Sequence, residues 1–69
     1  MLVSELIKQI RMKCLITQTE LAKWSKIDQT SISAYENGTR KPGLLALKKL
    51  LDVANKRANM DIKHSDIEL

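Results

Sequence analysis

The chain has 69 residues, which is enough for one small domain and leaves no room for a second core. Twelve Lys and Arg residues against eight Asp and Glu give a formal net charge of +4, and this balance favours an anionic partner. Hydrophobic residues make up 43% of the chain but aromatic residues only 3%. The core must therefore consist of aliphatic side chains, which suit packed helices.

The single cysteine and the single histidine exclude several kinds of site. Cys14 cannot form an internal disulfide, which favours a reducing, cytoplasmic compartment. Cys14 and His64 together fall short of the four ligands of a structural zinc, and the sequence offers neither a catalytic triad nor a Gly-rich phosphate loop. We therefore expect no metal, no cofactor and no enzyme activity. The apolar runs are too short to span a bilayer, so we expect no membrane partner either.

Charge is unevenly distributed along the sequence. Residues 1–57 carry eleven basic and five acidic side chains, whereas residues 58–69 carry one basic and three acidic ones. This pattern indicates a basic folded domain at 1–57 and an acidic C-terminal tail at 58–69. The tail is a candidate for contacts with a partner protein or with a second copy of the chain.

The first predicted helix runs from Val3 to Cys14, with Ser4 as a candidate N-cap. Its apolar residues recur at helical spacing, and its charged residues lie mostly on the other side. The apolar positions are Val3, Leu6, Ile7, Ile10 and Cys14.

Two short helices follow, each with its own start signal. Thr17 and Glu20 have the spacing of a capping box and predict a helix over 18–24. Asp28 is a second strong N-cap and predicts another helix over 29–36.

The remaining segments connect and complete the predicted bundle. Ser25-Lys26-Ile27 forms the turn between the two short helices, and Asn37-Gly38 ends the second one because both residues tolerate a left-handed backbone. A basic loop leads to a fourth helix over 44–55, whose apolar stripe faces inward. For the tail we expect a short extended piece and a turn.

The helix predicted at residues 28–36 has two different sides. Ile32 and Tyr35 fall on the inner side, because successive helical residues are rotated by about 100°. The outer stripe is small, neutral and rich in hydrogen-bonding groups, as entry into the major groove of DNA requires. The candidate base contacts on it are Gln29, Thr30, Ser33 and Ala34. The alternative is an ordinary solvated helix face.

A second group of residues has the chemistry of phosphate contacts. Gln18 lies in the first turn of its helix, where backbone N–H groups help to bind an anion. Asn37, Arg40 and Lys41 follow the outer stripe, where a DNA backbone would cross. Taken singly, each is equally compatible with a solvated loop.

The sequence resembles the Cro and phage-repressor type of helix-turn-helix proteins, also called the XRE family, over roughly residues 5–55. The matching segments are Ile16-Thr17-Gln18, Glu20-Leu21-Ala22, Ser31-Ile32-Ser33, Tyr35-Glu36-Asn37-Gly38 and Arg40-Lys41-Pro42. The resemblance implies an all-α, lambda-repressor-like bundle of four to five short helices that binds operator DNA, usually as a dimer. It also implies that Gln29, Thr30 and Ser33 read bases, that Gln18, Asn37 and Arg40 meet phosphates, and that Glu36 bonds inside the domain.

The sequence departs from the family pattern in two turns. Lys26 stands where the family usually has Gly, and Leu15 stands where Gly or a polar residue is common. A left-handed backbone at Lys26 costs roughly 1 kcal/mol relative to Gly, so either the turn differs or the strain is tolerated. Trp24 is open to two interpretations, packing against a neighbouring helix or contact with a partner.

Two functions remain open from the sequence. The first is a sequence-specific transcriptional regulator, a repressor or Cro-like protein of a phage or mobile-element switch, with double-stranded operator DNA as its partner and a homodimer as its candidate assembly. The second is a helix-turn-helix protein that acts by binding another protein, as a repressor modulator, an anti-repressor or an antitoxin. Its partner would be a co-encoded repressor or toxin.

Overall fold

The computed structural model describes residues 1–68 and contains four α-helices. They are α1 (Val3–Cys14), α2 (Gln18–Ser25), α3 (Gln29–Asn37) and α4 (Leu44–Arg57), followed by a short 3₁₀ turn at His64–Asp66. The predicted all-α bundle is confirmed. All four predicted helices are present, and α2, α3 and α4 extend one or two residues beyond their predicted ends.

Local side-chain caps define where the short helices begin. Thr17 Oγ1 accepts a hydrogen bond from the Glu20 N–H at 3.1 Å, and Glu20 Oε1 accepts one from the Thr17 N–H at 3.0 Å, which confirms the capping box. The expectation for Ser4 is wrong, because α1 begins one residue after Leu2, the N-cap. The Leu2 N–H donates to Glu5 Oε1 at 3.0 Å, so a glutamate inside the first turn satisfies this helix end.

The core is aliphatic and lies where the four helices meet. Helix α1 packs against α3 and α4, and α2 packs against the same two helices. Seven side chains of the core are less than 2% exposed: Leu6, Ile7, Ile10, Leu21, Ile32, Leu47 and Leu50. Because α3 contributes Ile32 to this centre, the side of α3 opposite Ile32 faces solvent.

The tail folds back onto the helices. Asn55 holds it with two hydrogen bonds to the backbone of Ile62, at 2.9 and 3.0 Å. Ile67 is buried in the core, and the Glu68 N–H donates to the Met1 carbonyl at 2.8 Å. Lys63 is extended and His64–Asp66 forms the turn, so the expected extended piece and turn are present, while the role of the tail in partner contacts stays a prediction. Leu69, the last residue of the predicted tail, lies outside the described residues.

Within residues 1–68, no helix combines the length and the apolar character needed to cross a membrane.

Candidate nucleic-acid interface

Helices α2 and α3 form a helix-turn-helix unit anchored by its buried side. Leu21 of α2, Ile27 of the turn and Ile32 and Tyr35 of α3 are all buried. The turn between the helices passes through Lys26, whose backbone is left-handed with φ 58° and ψ 35°. The turn at Lys26 therefore has the left-handed backbone that glycine favours, and the chain carries the strain.

The predicted base-contact residues share the outer side of α3. Gln29 and Thr30 are exposed, and Ser33 and Ala34 are partly exposed one turn further along. All four line one open depression of the surface. None of these residue types is charged, so the depression offers hydrogen-bonding groups and a methyl group without repelling phosphates.

Two of the predicted phosphate contacts lie at the rim of that depression and two do not. Gln18 and Asn37 line it together with the α3 residues. Arg40 and Lys41 line a different cavity of about 330 Å³, together with Tyr35, Leu2 and other residues. The Arg40 guanidinium lies 5.5 Å from the centre of the Tyr35 ring, which holds this cation near the end of α3.

Thr39 belongs to the same depression and was missed by the sequence analysis. Gly38 has a left-handed backbone, with φ 77°, that turns the chain back over α3. As a result the Thr39 N–H donates to the Ala34 carbonyl at 3.0 Å, and Thr39 Oγ1 donates to the same oxygen at 3.3 Å. The Asn37-Gly38 ending could have indicated this reversal, since a left-handed cap returns the next residue to the last helical turn.

Glu36 bonds inside the domain, as the resemblance implies. Arg11 Nη1 of α1 lies 2.7 Å from each oxygen of the Glu36 carboxylate. Gln18 Nε2 donates to Glu36 Oε1 at 3.2 Å. The Glu36 side chain is only 11% exposed and does not line the α3 depression, so this carboxylate is largely buried.

Asp28 is the acidic residue nearest the start of α3, and its carboxylate caps that helix. The Ser31 N–H donates to Asp28 Oδ2 at 3.0 Å, and the Ser31 hydroxyl donates to Oδ1 at 2.9 Å. The backbone hydrogen bond, followed by the hydroxyl hydrogen bond, lowers the pKa of Asp28 below its ordinary value. The carboxylate therefore stays ionised and stabilises the positive end of the α3 dipole.

Trp24 does not line the α3 depression and is half-buried against the core. The Arg57 guanidinium at the end of α4 lies 4.5 Å from its ring centre. The packing interpretation of Trp24 is therefore confirmed, because α4 covers part of the ring. A partner contact through the rest of the ring stays a prediction.

The sequence pattern of the helix-turn-helix family matches residues 7–58. The chain belongs to the Cro/C1-type helix-turn-helix family, also called the XRE family, a family of DNA-binding regulators. Searches of curated proteins and of solved structures give no significant match.

Proposed function

We propose that this protein is a sequence-specific transcriptional regulator that inserts helix α3 into the major groove of operator DNA. The observation that carries the proposal is the outer side of α3, where Gln29, Thr30, Ser33 and Ala34 form one uncharged, accessible surface. The opposite side of the same helix is fixed in the core by Ile32 and Tyr35. Such a surface is both free to enter the groove and held in one orientation.

Each of the four residues has a defined role in base recognition. Gln29 at the first position of α3 offers an amide that both donates and accepts, and so matches the N6 and N7 edge of adenine. Thr30 supplies a hydroxyl and a methyl group, Ser33 supplies a hydroxyl, and Ala34 can contact a thymine methyl. Asn37 Nδ2 lies 3.5 Å from Ser33 Oγ, so the two side chains are neighbours on this surface.

Two of the proposed phosphate contacts, Gln18 and Asn37, line the same depression, and the other two, Arg40 and Lys41, lie in the loop after α3. Gln18 lies at the first position of α2, where backbone N–H groups of the first helical turn can also bind an anion. Asn37 lies at the end of α3, and Arg40 and Lys41 extend the contact into the basic loop. These residues supply affinity and register, whereas the four α3 residues supply specificity.

We further propose that the protein acts as a repressor or Cro-like switch component of a phage or mobile element. In this mechanism it occupies an operator and blocks transcription by its presence. Two copies on neighbouring half-sites, about 34 Å apart, would place both α3 helices on the same face of the DNA.

A selection of bound duplexes from a random DNA library tests the proposal directly. The expected result is enrichment of one short motif, present once or as two inverted copies, together with strong salt dependence of binding. A footprint on the DNA that flanks the gene would then locate the motif. Recovery of random sequences, or no retention of DNA at low salt, would overturn the proposal.

A second candidate function is binding to another protein, with DNA recognition weak or absent. Four large apolar side chains favour it, because Met12, Leu15, Leu44 and Leu45 are between 67% and 90% exposed. The accessible part of Trp24 adds an aromatic anchor of the kind that interfaces use. Measuring binding to the same DNA with and without a co-encoded repressor or toxin separates this function from the first.

A further inference from the structure

We infer that Glu36, neutralised by Arg11, is a positioning residue that orients the Gln18 side chain toward a DNA phosphate. The inference rests on the proposed function and deepens it, because it names a residue that acts on DNA affinity without touching DNA. It concerns one cluster in which side chains from α1, α2 and α3 meet.

The geometry of the cluster is specific. Arg11 Nη1 bridges both oxygens of Glu36 at 2.7 Å, and Gln18 Nε2 donates to Glu36 Oε1 at 3.2 Å. Gln18 is the first residue of α2 and Glu36 belongs to the last turn of α3. The hydrogen bond between them therefore joins the start of one helix to the end of the next.

This bond selects one orientation of the Gln18 amide. A glutamine amide has two N–H donors and one oxygen acceptor, and it can rotate freely when nothing holds it. One N–H is used by Glu36, while Gln18 also lines the depression on the DNA-facing side of α3. The second N–H is then held ready for a phosphate, and the entropic cost of ordering the side chain is met before DNA arrives.

Arg11 allows the Glu36 carboxylate to lie close to the DNA backbone. An unpaired carboxylate next to a phosphate contact would repel the DNA backbone. The Arg11 guanidinium balances that charge, and its Nε also lies 3.4 Å from the Ile16 carbonyl just before α2. Arg11 is 31% exposed and Glu36 only 11%, so the pair presents little net negative charge to DNA.

The test is a double-mutant cycle between Gln18 and Glu36, read as affinity for the selected operator. Gln18→Ala should weaken binding about tenfold, as expected for loss of one hydrogen bond to a charged group, and Glu36→Ala about fivefold. The double variant should bind about as weakly as Gln18→Ala alone, because both changes remove the same contact. Glu36→Gln retains an oxygen acceptor and should lose less than about twofold, although it loses the ion pair.

Matched controls separate positioning from stability. Asp52→Ala removes another ion-paired carboxylate, 3.0 Å from Lys56 on α4 and outside the α3 depression, and should leave operator affinity unchanged. Affinities are compared well below the melting temperature of each variant, so that the folded fraction does not differ.

The outcomes are distinguishable. If the losses of Gln18→Ala and Glu36→Ala multiply in the double variant, or if Glu36→Gln is as defective as Glu36→Ala, the positioning role is wrong while the proposed function stands. If the wild-type protein selects no DNA motif, the proposed function itself fails.

If Glu36→Ala does not fold, nitrogen-15 NMR of the wild-type protein tests the positioning role instead. The Gln18 side-chain amide should then exchange with water several-fold more slowly than that of exposed Gln29, and equal rates would overturn the inference.

Discussion

Leu15 and Lys26 adopt nearly the same left-handed backbone conformation at the ends of α1 and α2, with φ 56°, ψ 48° and φ 58°, ψ 35°. The residue after each makes an equivalent hydrogen bond, from the Ile16 N–H to the Arg11 carbonyl at 3.1 Å and from the Ile27 N–H to the Ala22 carbonyl at 3.2 Å. The two turns are therefore closed in the same way. Neither has the glycine that this conformation favours.

Replacing Lys26 with Gly should stabilise the protein, because a left-handed backbone costs a residue with a Cβ atom roughly 1 kcal/mol relative to Gly. For a domain of this size, that gain raises the melting temperature by about 4–8 °C. Leu15→Gly should act in the same direction, since the Leu15 side chain is 90% exposed and contributes little packing. Thermal unfolding followed by circular dichroism measures both effects.

Lys26→Ala is the matched control, because it removes the same charge and keeps the Cβ atom. It should leave the melting temperature close to that of the wild type. Equal stabilisation by Ala and Gly would show that charge, not backbone strain, limits stability at this turn.

Leu47→Ala should destabilise the protein by roughly 2–5 kcal/mol, since it opens a cavity in a packed core. Leu47 is 1% exposed, whereas Leu44 on the same helix is 69% exposed. Leu44→Ala is therefore the control and should change the free energy of unfolding by less than about 0.5 kcal/mol. Urea unfolding gives both values, and similar losses at the two sites would contradict the inward packing of α4.

Local signals in the sequence were sufficient to predict the four helices. The capping box of Thr17 and Glu20 and the cap at Asp28 act within three residues of the helix start, so their effect is visible without tertiary structure. The cap expected at Ser4 failed because Glu5 reaches back to the Leu2 N–H instead. Signals of this short range decide where α1, α2 and α3 begin.

Contacts between distant residues could not be predicted in the same way. The sequence separates Arg11 from Glu36 by 25 positions, and no periodicity indicates which arginine a given glutamate meets. The burial of Ile67 likewise depends on the tail returning to the N-terminus, a path that its short alternating pattern does not specify. The candidate base-reading side of α3 could be predicted from helical periodicity. Thr39 lies on the same surface because the chain reverses after α3, which periodicity does not show.

The contribution of Asp28 to stability should depend on pH. Its pKa is lowered in the folded protein, chiefly by the hydrogen bond from the Ser31 N–H, so the carboxylate stabilises the fold fully above the pKa of an unfolded aspartate, about 3.9. This contribution is lost as the pH falls through the lower, folded-state pKa. The melting temperature of Asp28→Asn should thus lie below that of the wild type at neutral pH, and the difference should shrink in acid.

Melting temperatures of the two proteins measured from neutral pH down to the acid range check this expectation. Asp61→Asn in the exposed tail controls for the loss of one negative charge. A difference between wild type and Asp28→Asn that stays constant with pH would mean that the ionised cap does not stabilise α3.

Lys41→Ala should weaken binding to all DNA sequences and reduce the slope of log affinity against log salt by about one, because Lys41 is proposed to neutralise one phosphate. Lys56→Ala is the control, since Lys56 is an exposed lysine of α4 that pairs with Asp52 at 3.0 Å. Titrations of operator and random duplex at several salt concentrations give the slopes. A loss confined to the operator would instead assign Lys41 to base recognition.

Gln29→Ala should cost about 1–3 kcal/mol of operator binding and relax the preference at one base pair, because the proposed amide contact with a base edge is lost. Binding to random DNA should hardly change, since Gln29 is proposed to touch no phosphate. Gln9→Ala, which changes a glutamine of α1 outside the depression, should leave both affinities unaltered. Competition titrations with every single-base variant of the operator measure the discrimination, and an unchanged ratio between operator and random DNA would remove Gln29, the first residue of α3, from the reading surface.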